Sequence, residues 1–231
     1  LPDAVVLVVR SETKVTAELM AKAPKLRIIA RAGVGVDTID LAEANNRKIA
    51  VLTAPGANAN SAAEFTFALL LALVRKVPGG AASLSGGAWD RKRFEGTELR
   101  GKTLGLVGMG RVGTTVAKIA RGFGMEVEAY DPNLTQHEVD PLGVTLLPLE
   151  DVLRNADIVS LHAKLTPETR HVIDDAAIAA MKPGVIIVNT SRGALIDDAA
   201  LVRALRSGHV AGAALDVYEP EPLPADSVLR G

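Results

Sequence analysis

A chain of 231 residues that is 48% hydrophobic is long enough to bury a substantial core, as one large domain or two small ones. Its 26 lysines and arginines against 27 acidic residues leave a formal net charge of −1, so no overall field draws it to nucleic acid or an anionic membrane, and any anion must be gripped locally. The absence of cysteine removes disulfides, thiolate nucleophiles and thiolate metal sites together, and a cytoplasmic protein is expected.

From the N-terminus, Leu1-Pro2-Asp3 places no basic region ahead of an apolar core, so no secretory signal is expected there. Runs rich in Val, Ile and Leu at 4–9, 27–32, 49–53, 103–107, 126–130, 144–147, 157–161, 185–189 and 210–215 predict strands. Most are continuously apolar and not alternating, as parallel strands covered on both faces should be. Segments 16–23, 111–123, 149–155 and 197–207 have helical spacing, and the regular alternation of the two kinds predicts a doubly wound α/β architecture. Two stretches interrupt it. Residues 61–76 form a long helix-forming segment, whose most apolar part, 65–74, is ten residues long, about half of the ~20 needed to cross a bilayer. Residues 77–102 are Gly-rich and charged, with no strand expected. A boundary near 53–55 then separates a three-strand unit, 1–54, thin for an independent sheet, from a longer α/β unit, 55–231.

In the longer unit the strand at 103–107 runs directly into Gly108-Met109-Gly110-Arg111-Val112-Gly113, which opens a helix with apolar positions at Val116, Ile119, Ala120 and Phe123. A GxGxxG alone is weak, but a strand before it and a helix after it give each glycine a task. Gly108 permits the tight turn, Gly110 lets backbone approach a pyrophosphate, and Gly113 lets helix and strand pack closely. The helix N-terminus then offers free N–H groups to the phosphates. The next strand ends at Asp131, where a carboxylate is expected to accept both ribose hydroxyls and repel a 2′-phosphate. Pro132 and Asn133 supply no compensating arginine, so NAD is favoured over NADP.

At Asn189-Thr190-Ser191-Arg192-Gly193-Ala194 an apolar strand ends in a polar turn, at the sheet edge where open α/β sheets bind ligands. Arg192 is placed to hold a substrate carboxylate by a bidentate pair and polarise an adjacent carbonyl. One strand later, Leu215-Asp216-Val217-Tyr218-Glu219-Pro220-Glu221-Pro222 repeats the pattern. Glu221 between two prolines is equally compatible with orienting a catalytic base and with an acidic linker.

These motifs, together with Val9-Arg10-Ser11-Glu12-Thr13-Lys14, Arg31-Ala32-Gly33-Val34-Gly35-Val36-Asp37, Asn60-Ser61-Ala62-Ala63-Glu64, Trp89-Asp90-Arg91-Lys92-Arg93-Phe94 and Gly96-Thr97-Glu98-Leu99, occur in an order that resembles the D-isomer-specific 2-hydroxyacid dehydrogenases along nearly the whole chain. The resemblance implies a Rossmann-type NAD-binding domain joined to part of a smaller flavodoxin-like substrate domain, and NAD-dependent oxidation of a phosphorylated D-2-hydroxyacid. It implies that Arg111 and Val112 meet the pyrophosphate, Asp131 the adenosine ribose, and Thr190, Ser191 and Asp216 the nicotinamide side. Arg192 would hold the substrate carboxylate and carbonyl, and Glu221 would pair with a catalytic histidine. Arg10 would lie near the substrate phosphate, the Arg31–Val36 loop, with Gly33, Val34 and Gly35, would offer backbone N–H groups to its carboxylate, and Arg91 would reach across a dimer interface. The sequence itself supports a locally basic site, with Arg10, Lys14, Arg31 and Arg91 as candidate phosphate contacts.

Two departures bear on these expectations. Val34 stands where some relatives have threonine, losing a hydroxyl contact to cofactor. The family's histidine is expected on a Pro-His loop beyond one further strand, and no Pro-His pair occurs in these 231 residues, so the NAD-binding unit is expected to lack its last strand and helix. His137, His171 and His209 read as surface residues, and His162 as a strand-end polar residue on the adenine side. No His/Asp/Glu set has metal-ligand spacing. A homodimer through 61–76 and the arm at 77–94, with Trp89 either an anchor in the partner or an ordinary core tryptophan, completes the expectations. The alternatives are another family member, such as a glyoxylate or hydroxypyruvate reductase or a D-lactate or formate dehydrogenase, and an NAD-sensing, corepressor-like binding module.

Overall fold

The computed structural model describes residues 1–10 and 12–230. Ser11 of the Arg10–Lys14 motif and Gly231 lie outside the described residues. Contacts divide the chain into two compact units, Leu1–Asn60 and Ser61–Gly231. The division falls in the first turn of a helix, a few residues beyond the boundary expected near 53–55.

The first unit alternates β1 (Val6–Val9), α1 (Ala17–Ala21), β2 (Ile28–Arg31), α2 (Leu41–Asn46) and β3 (Ala50–Thr53). The three strands pair in parallel in the order β1-β2-β3. Thr16 and Asp40 cap the two helices by accepting the Leu19 and Glu43 N–H groups, satisfying donors that an uncapped end would leave open. Met20 of α1 and Ala44 of α2 pack with Val9, Val15, Ile29, Ile39 and Ile49 into one small core. Val6, Val8 and Leu52 are exposed, Val8 by 69%, although the strands are apolar throughout.

The second unit begins with α3 (Ala59–Val74), which straddles the division, and α4 (Val77–Ser85). Then follow β4 (Thr103–Val107), α5 (Arg111–Gly122), β5 (Glu126–Tyr130), α6 (Gln136–Val139), β6 (Thr145–Leu146), α7 (Leu149–Asn155), β7 (Ile158–Leu161), α8 (Asp175–Ala180), β8 (Val185–Asn189), α9 (Asp198–Ser207) and β9 (Val210–Leu215). The six strands are all parallel in the order β6-β5-β4-β7-β8-β9, which is the 3-2-1-4-5-6 order of the doubly wound dinucleotide fold. Every strand expected from the sequence is present, and α1, α3, α5, α7 and α9 occupy the expected helical segments.

Helices cover both faces of this sheet. On one, Phe67, Leu70 and Val74 of α3 meet Val116 and Ala120 of α5 over Leu104, Leu106, Val127 and Val188. On the other, Leu153, Ile178 and Leu201 from α7, α8 and α9 close over Val159, Leu161 and Ile187. No single helix among the described residues is long and apolar enough to cross a membrane, though α3 and α4, bent by 60°, pass that test as a pair by length and composition. The stretch 77–102 contains no strand, as expected, and it holds α4 and a short turn at Lys92–Phe94, which the sequence did not point to. Gly79 and Gly80 obscured the helix in the sequence. A Cβ on Gly79 would lie 3.1 Å from the Phe94 ring, so a contact with Phe94, and not helix breaking, accounts for a small residue there.

Candidate functional site

The strand order reverses between β4 and β7, and ligands of open α/β sheets bind in the crevice at the carboxyl ends of the strands at such a point. Gly108 leaves β4 with φ +99, a conformation glycine adopts without strain. Gly110 is the N-cap of α5 and provides no side-chain cap, and a Cβ there would meet nothing within 4 Å. The first N–H groups of a twelve-residue helix are therefore left for an external acceptor, with open space before them. Arg111 is exposed and Val112 half-buried beside this opening, while Gly113 is buried. These residues fit a dinucleotide pyrophosphate.

Asp131 follows β5. Its Oδ2 accepts the Met109 N–H at 2.9 Å, and its Oδ1 accepts the Asn133 backbone N–H at 3.0 Å and the Asn133 amide at 3.3 Å. A carboxylate has about four acceptor positions, so the protein fills all but one. From the sequence, both ribose hydroxyls are expected at this group. In this geometry one fits, unless the longer Asn133 amide contact gives way.

His162 follows β7, and its Nε2 lies 2.9 Å from the buried Ser160 hydroxyl. Burial holds its pKa down to about 4. The imidazole is thus neutral at ordinary pH, a poor match for a substrate anion.

The turn after β8 is built by Asn189, which is fully buried. Its Oδ1 accepts the Ser191 N–H and its Nδ2 donates to the Arg192 carbonyl. Ser191 Oγ donates to the Ala163 carbonyl at 2.7 Å, tying this turn to the one after β7. Arg192 is half-buried, with Nη1 donating to the Ser191 carbonyl. Thr190 Oγ1 lies 2.8 Å from Thr66 Oγ1 on α3. Thr66 went unremarked in the sequence; the signal was a hydroxyl on an apolar helix, here 1% exposed and donating to the Ala62 carbonyl.

After β9 the chain crosses the Arg192–Gly193 turn, so close that a Cβ on Gly193 would fall 2.1 Å from the Tyr218 carbonyl carbon. Glu221 Oε1 accepts the Tyr218 N–H at 3.0 Å. Burial, with the negative charge of Glu221, raises the pKa of Asp216. The structure therefore brings Arg192, Asp216 and Glu221 together on adjoining strand exits, and Gly108 to Gly113, Asp131 and His162 on the neighbouring ones.

Of the remaining candidates, Arg10 is exposed just past β1. Arg31 ends β2 and donates from Nε to the Gly35 carbonyl at 2.8 Å, while its Nη1 is buried without a partner. The Gly33 N–H is already given to the Arg31 carbonyl, whereas Val34 is 45% exposed. Arg91 lines a shallow hollow with Leu84, Trp89 and Phe94 on the second unit. Trp89 is 77% exposed and not a core residue of this chain. Among the described residues no His/Asp/Glu group could hold a metal ion.

The depressed pKa of His162 has a consequence for stability. The unfolded imidazole, near 6.5, takes a proton that the folded one refuses until about pH 4, so this contribution is whole above pH 6.5 and is lost progressively as pH falls toward 4. Between pH 7 and pH 5 the loss should be about 2 kcal/mol. Urea denaturation at both values should show the wild-type chain losing about that much more than His162→Gln, and equal losses would remove the assignment.

The arrangement matches known proteins. Residues 67–231 fit the family model described as the D-isomer specific 2-hydroxyacid dehydrogenase, NAD binding domain. D-3-phosphoglycerate dehydrogenase of Methanocaldococcus jannaschii is 50% identical over 98% of this chain and 43% of its own length, so the chain spans less than half of the curated relatives it matches. A Thermus thermophilus protein superposes with TM-score 0.90 at 46% identity, over 98% of this chain and 72% of that one. The NAD-dependent formate dehydrogenase of Staphylococcus aureus, solved with NAD, gives TM-score 0.87 at 35% identity over 100% of this chain and 70% of that one. The chain belongs to the D-isomer specific 2-hydroxyacid dehydrogenase family and carries that family's NAD-binding domain.

Proposed function

We propose that this chain is the cofactor-binding part, with a portion of the substrate domain, of an enzyme that oxidises D-3-phosphoglycerate to 3-phosphohydroxypyruvate, the entry to serine synthesis. The observation that carries the reading is the uncapped α5 N-terminus at the point where strand order reverses, together with 50% identity to a phosphoglycerate dehydrogenase. NAD⁺ supplies the hydride acceptor. Gly108, Gly110 and Gly113 admit the pyrophosphate, which takes the N–H groups of Arg111 and Val112, and Asp131 meets the adenosine ribose. Thr190, Ser191 and Asp216 face the nicotinamide half. Arg192 holds the substrate carboxylate and steadies the carbonyl oxygen as it forms. Arg10 and Arg31 hold the phosphate, the Gly33–Gly35 backbone the carboxylate, and Arg91 acts from a second subunit. The hydroxyl proton passes to a histidine that Glu221 orients, on the Pro-His loop expected from the family.

Calorimetric titration should show clear preference for NAD over NADP, because Asp131 repels a 2′-phosphate and the following Pro132 and Asn133 supply no compensating arginine. Equal affinities would sink the role given to Asp131.

General acid–base help is worth about 10²–10⁴-fold, and no residue of this chain matches the expected histidine. Followed by NADH absorbance at saturating substrate, the 231-residue chain should bind NAD⁺ yet oxidise D-3-phosphoglycerate at least ~100-fold more slowly than a complete relative. Turnover equal to the relative's would transfer the base role to a histidine within the chain, with His162 the first to replace.

A homodimer through the helical segment 61–76 and the arm at 77–94 is part of the same proposal. Val77, Leu84 and Trp89 are 56%, 59% and 77% exposed there, apolar surface that a second copy would cover. Light scattering should give twice the chain mass, lowered by Trp89→Ala, whereas a strict monomer at high concentration would remove the dimer.

A further inference from the structure

We infer that Asp131 is also a positioning residue for the pyrophosphate cradle, holding the glycine loop in its binding form through the Met109 N–H. The inference rests on the NAD reading above but concerns a different part of the cofactor from the ribose. Met109 lies between Gly108 and Gly110, the two residues of the loop with the widest conformational choice. Gly108 is constrained by the crowding of the β7 exit and by its own N–H bond to the Tyr130 carbonyl. Gly110 has neither a neighbour within 4 Å of a Cβ position nor a side-chain cap. Among the described residues, the one side chain that accepts from an N–H of this loop is Asp131, at 2.9 Å.

The carboxylate is itself held. Both Asn133 donors converge on Oδ1, which turns Oδ2 toward Met109. A chain of contacts thus runs from Asn133 through Asp131 to Met109 and on to the Gly110–Gly113 turn, fixing the direction in which the α5 N–H groups point. In the bound form, the remaining acceptor position serves the ribose while the Met109 bond persists.

Inorganic pyrophosphate, which has no ribose, separates this role from ribose recognition, and the two predict opposite signs. Removing a negative charge beside an anion site strengthens anion binding by Coulomb's law. If Asp131 serves the ribose alone, Asp131→Ala should therefore leave pyrophosphate unchanged or tighter. If it clamps the loop, Asp131→Ala should weaken pyrophosphate about tenfold, the scale of losing one charge-assisted hydrogen bond. Asp131→Asn has one acceptor oxygen for two places: the two Asn133 donors take it and turn the amide NH2 toward the Met109 N–H, so this variant too should bind pyrophosphate more weakly than wild type. The measurement is calorimetry on the 231-residue chain with NAD and with pyrophosphate. Unchanged or tighter pyrophosphate in Asp131→Ala overturns the clamp and leaves the NAD reading standing, as does wild type that binds NAD but no pyrophosphate. Wild type that binds neither overturns both. Should Asp131→Ala not fold, amide hydrogen exchange in wild type decides: Met109 N–H is expected to exchange at least about tenfold more slowly than Gly110 N–H, and equal rates overturn the clamp.

Discussion

At the reversal point of the six-stranded sheet, a Cβ on Gly108 would lie 2.7 Å from the Ala163 nitrogen and 2.8 Å from the His162 carbonyl carbon. Real side chains do not approach backbone so closely, and the two exits can run side by side because nothing projects from Gly108. The same economy acts one turn on, where a Cβ on Gly113 would fall 2.2 Å from the Gly108 carbonyl oxygen. The first turn of α5 therefore sits directly on the loop. These two approaches aim the helix N-terminus over the crevice, and the phosphate-binding geometry is a by-product of how β4, α5 and β7 fit together.

A second set of contacts binds the exits of β7, β8 and β9 to one another. Ser191 reaches the Ala163 carbonyl, the His171 N–H donates to the Ala194 carbonyl at 2.8 Å, and Gly193 lies under the Tyr218 backbone. Arg170 spans the outside with two 3.0 Å bonds to Glu219. Because both partners are substantially exposed, that pair contributes about 1 kcal/mol or less. The backbone contacts are the stiffer element, and they carry the Arg192 turn between its neighbours. Glu221, folded onto the Tyr218 N–H, stays near enough to Asp216 to raise its pKa beyond the effect of burial.

The strands of the six-stranded sheet were legible because parallel strands with helices on both faces must be apolar along their length; β1 and β3 follow from the same kind of apolar run although Val6, Val8 and Leu52 are exposed. The glycine loop was legible because three glycines at fixed offsets between strand and helix serve a local geometry. What was not legible depended on partners distant in sequence. α4 was hidden by Gly79 and Gly80, whose neighbour is Phe94. Thr66 looked like one polar residue in an apolar helix until Thr190, 124 positions away, appeared against it. The acceptor count at Asp131 needed Met109, 22 residues earlier. α8 was hidden for another reason: Asp175–Ala180 is six residues long and mostly alanine, too short for a period to emerge.

Arg31 shows how a conflict inside the fold can point outward. Its Nε is satisfied by Gly35 of its own loop, but Nη1 is buried with no partner among the described residues. An unpaired N–H of a charged group withdrawn from water costs about 1–3 kcal/mol or more. Nε is committed to Gly35, and no group among the described residues accepts from Nη1. A bound anion would relieve that cost, since a carboxylate or phosphate oxygen accepts from a guanidinium with a stronger bond than any neutral group provides. The residue therefore has the electrostatic character of a binding group held ready, with Nε bonded to its own loop and Nη1 unpaired, which suits the proposed phosphate contact.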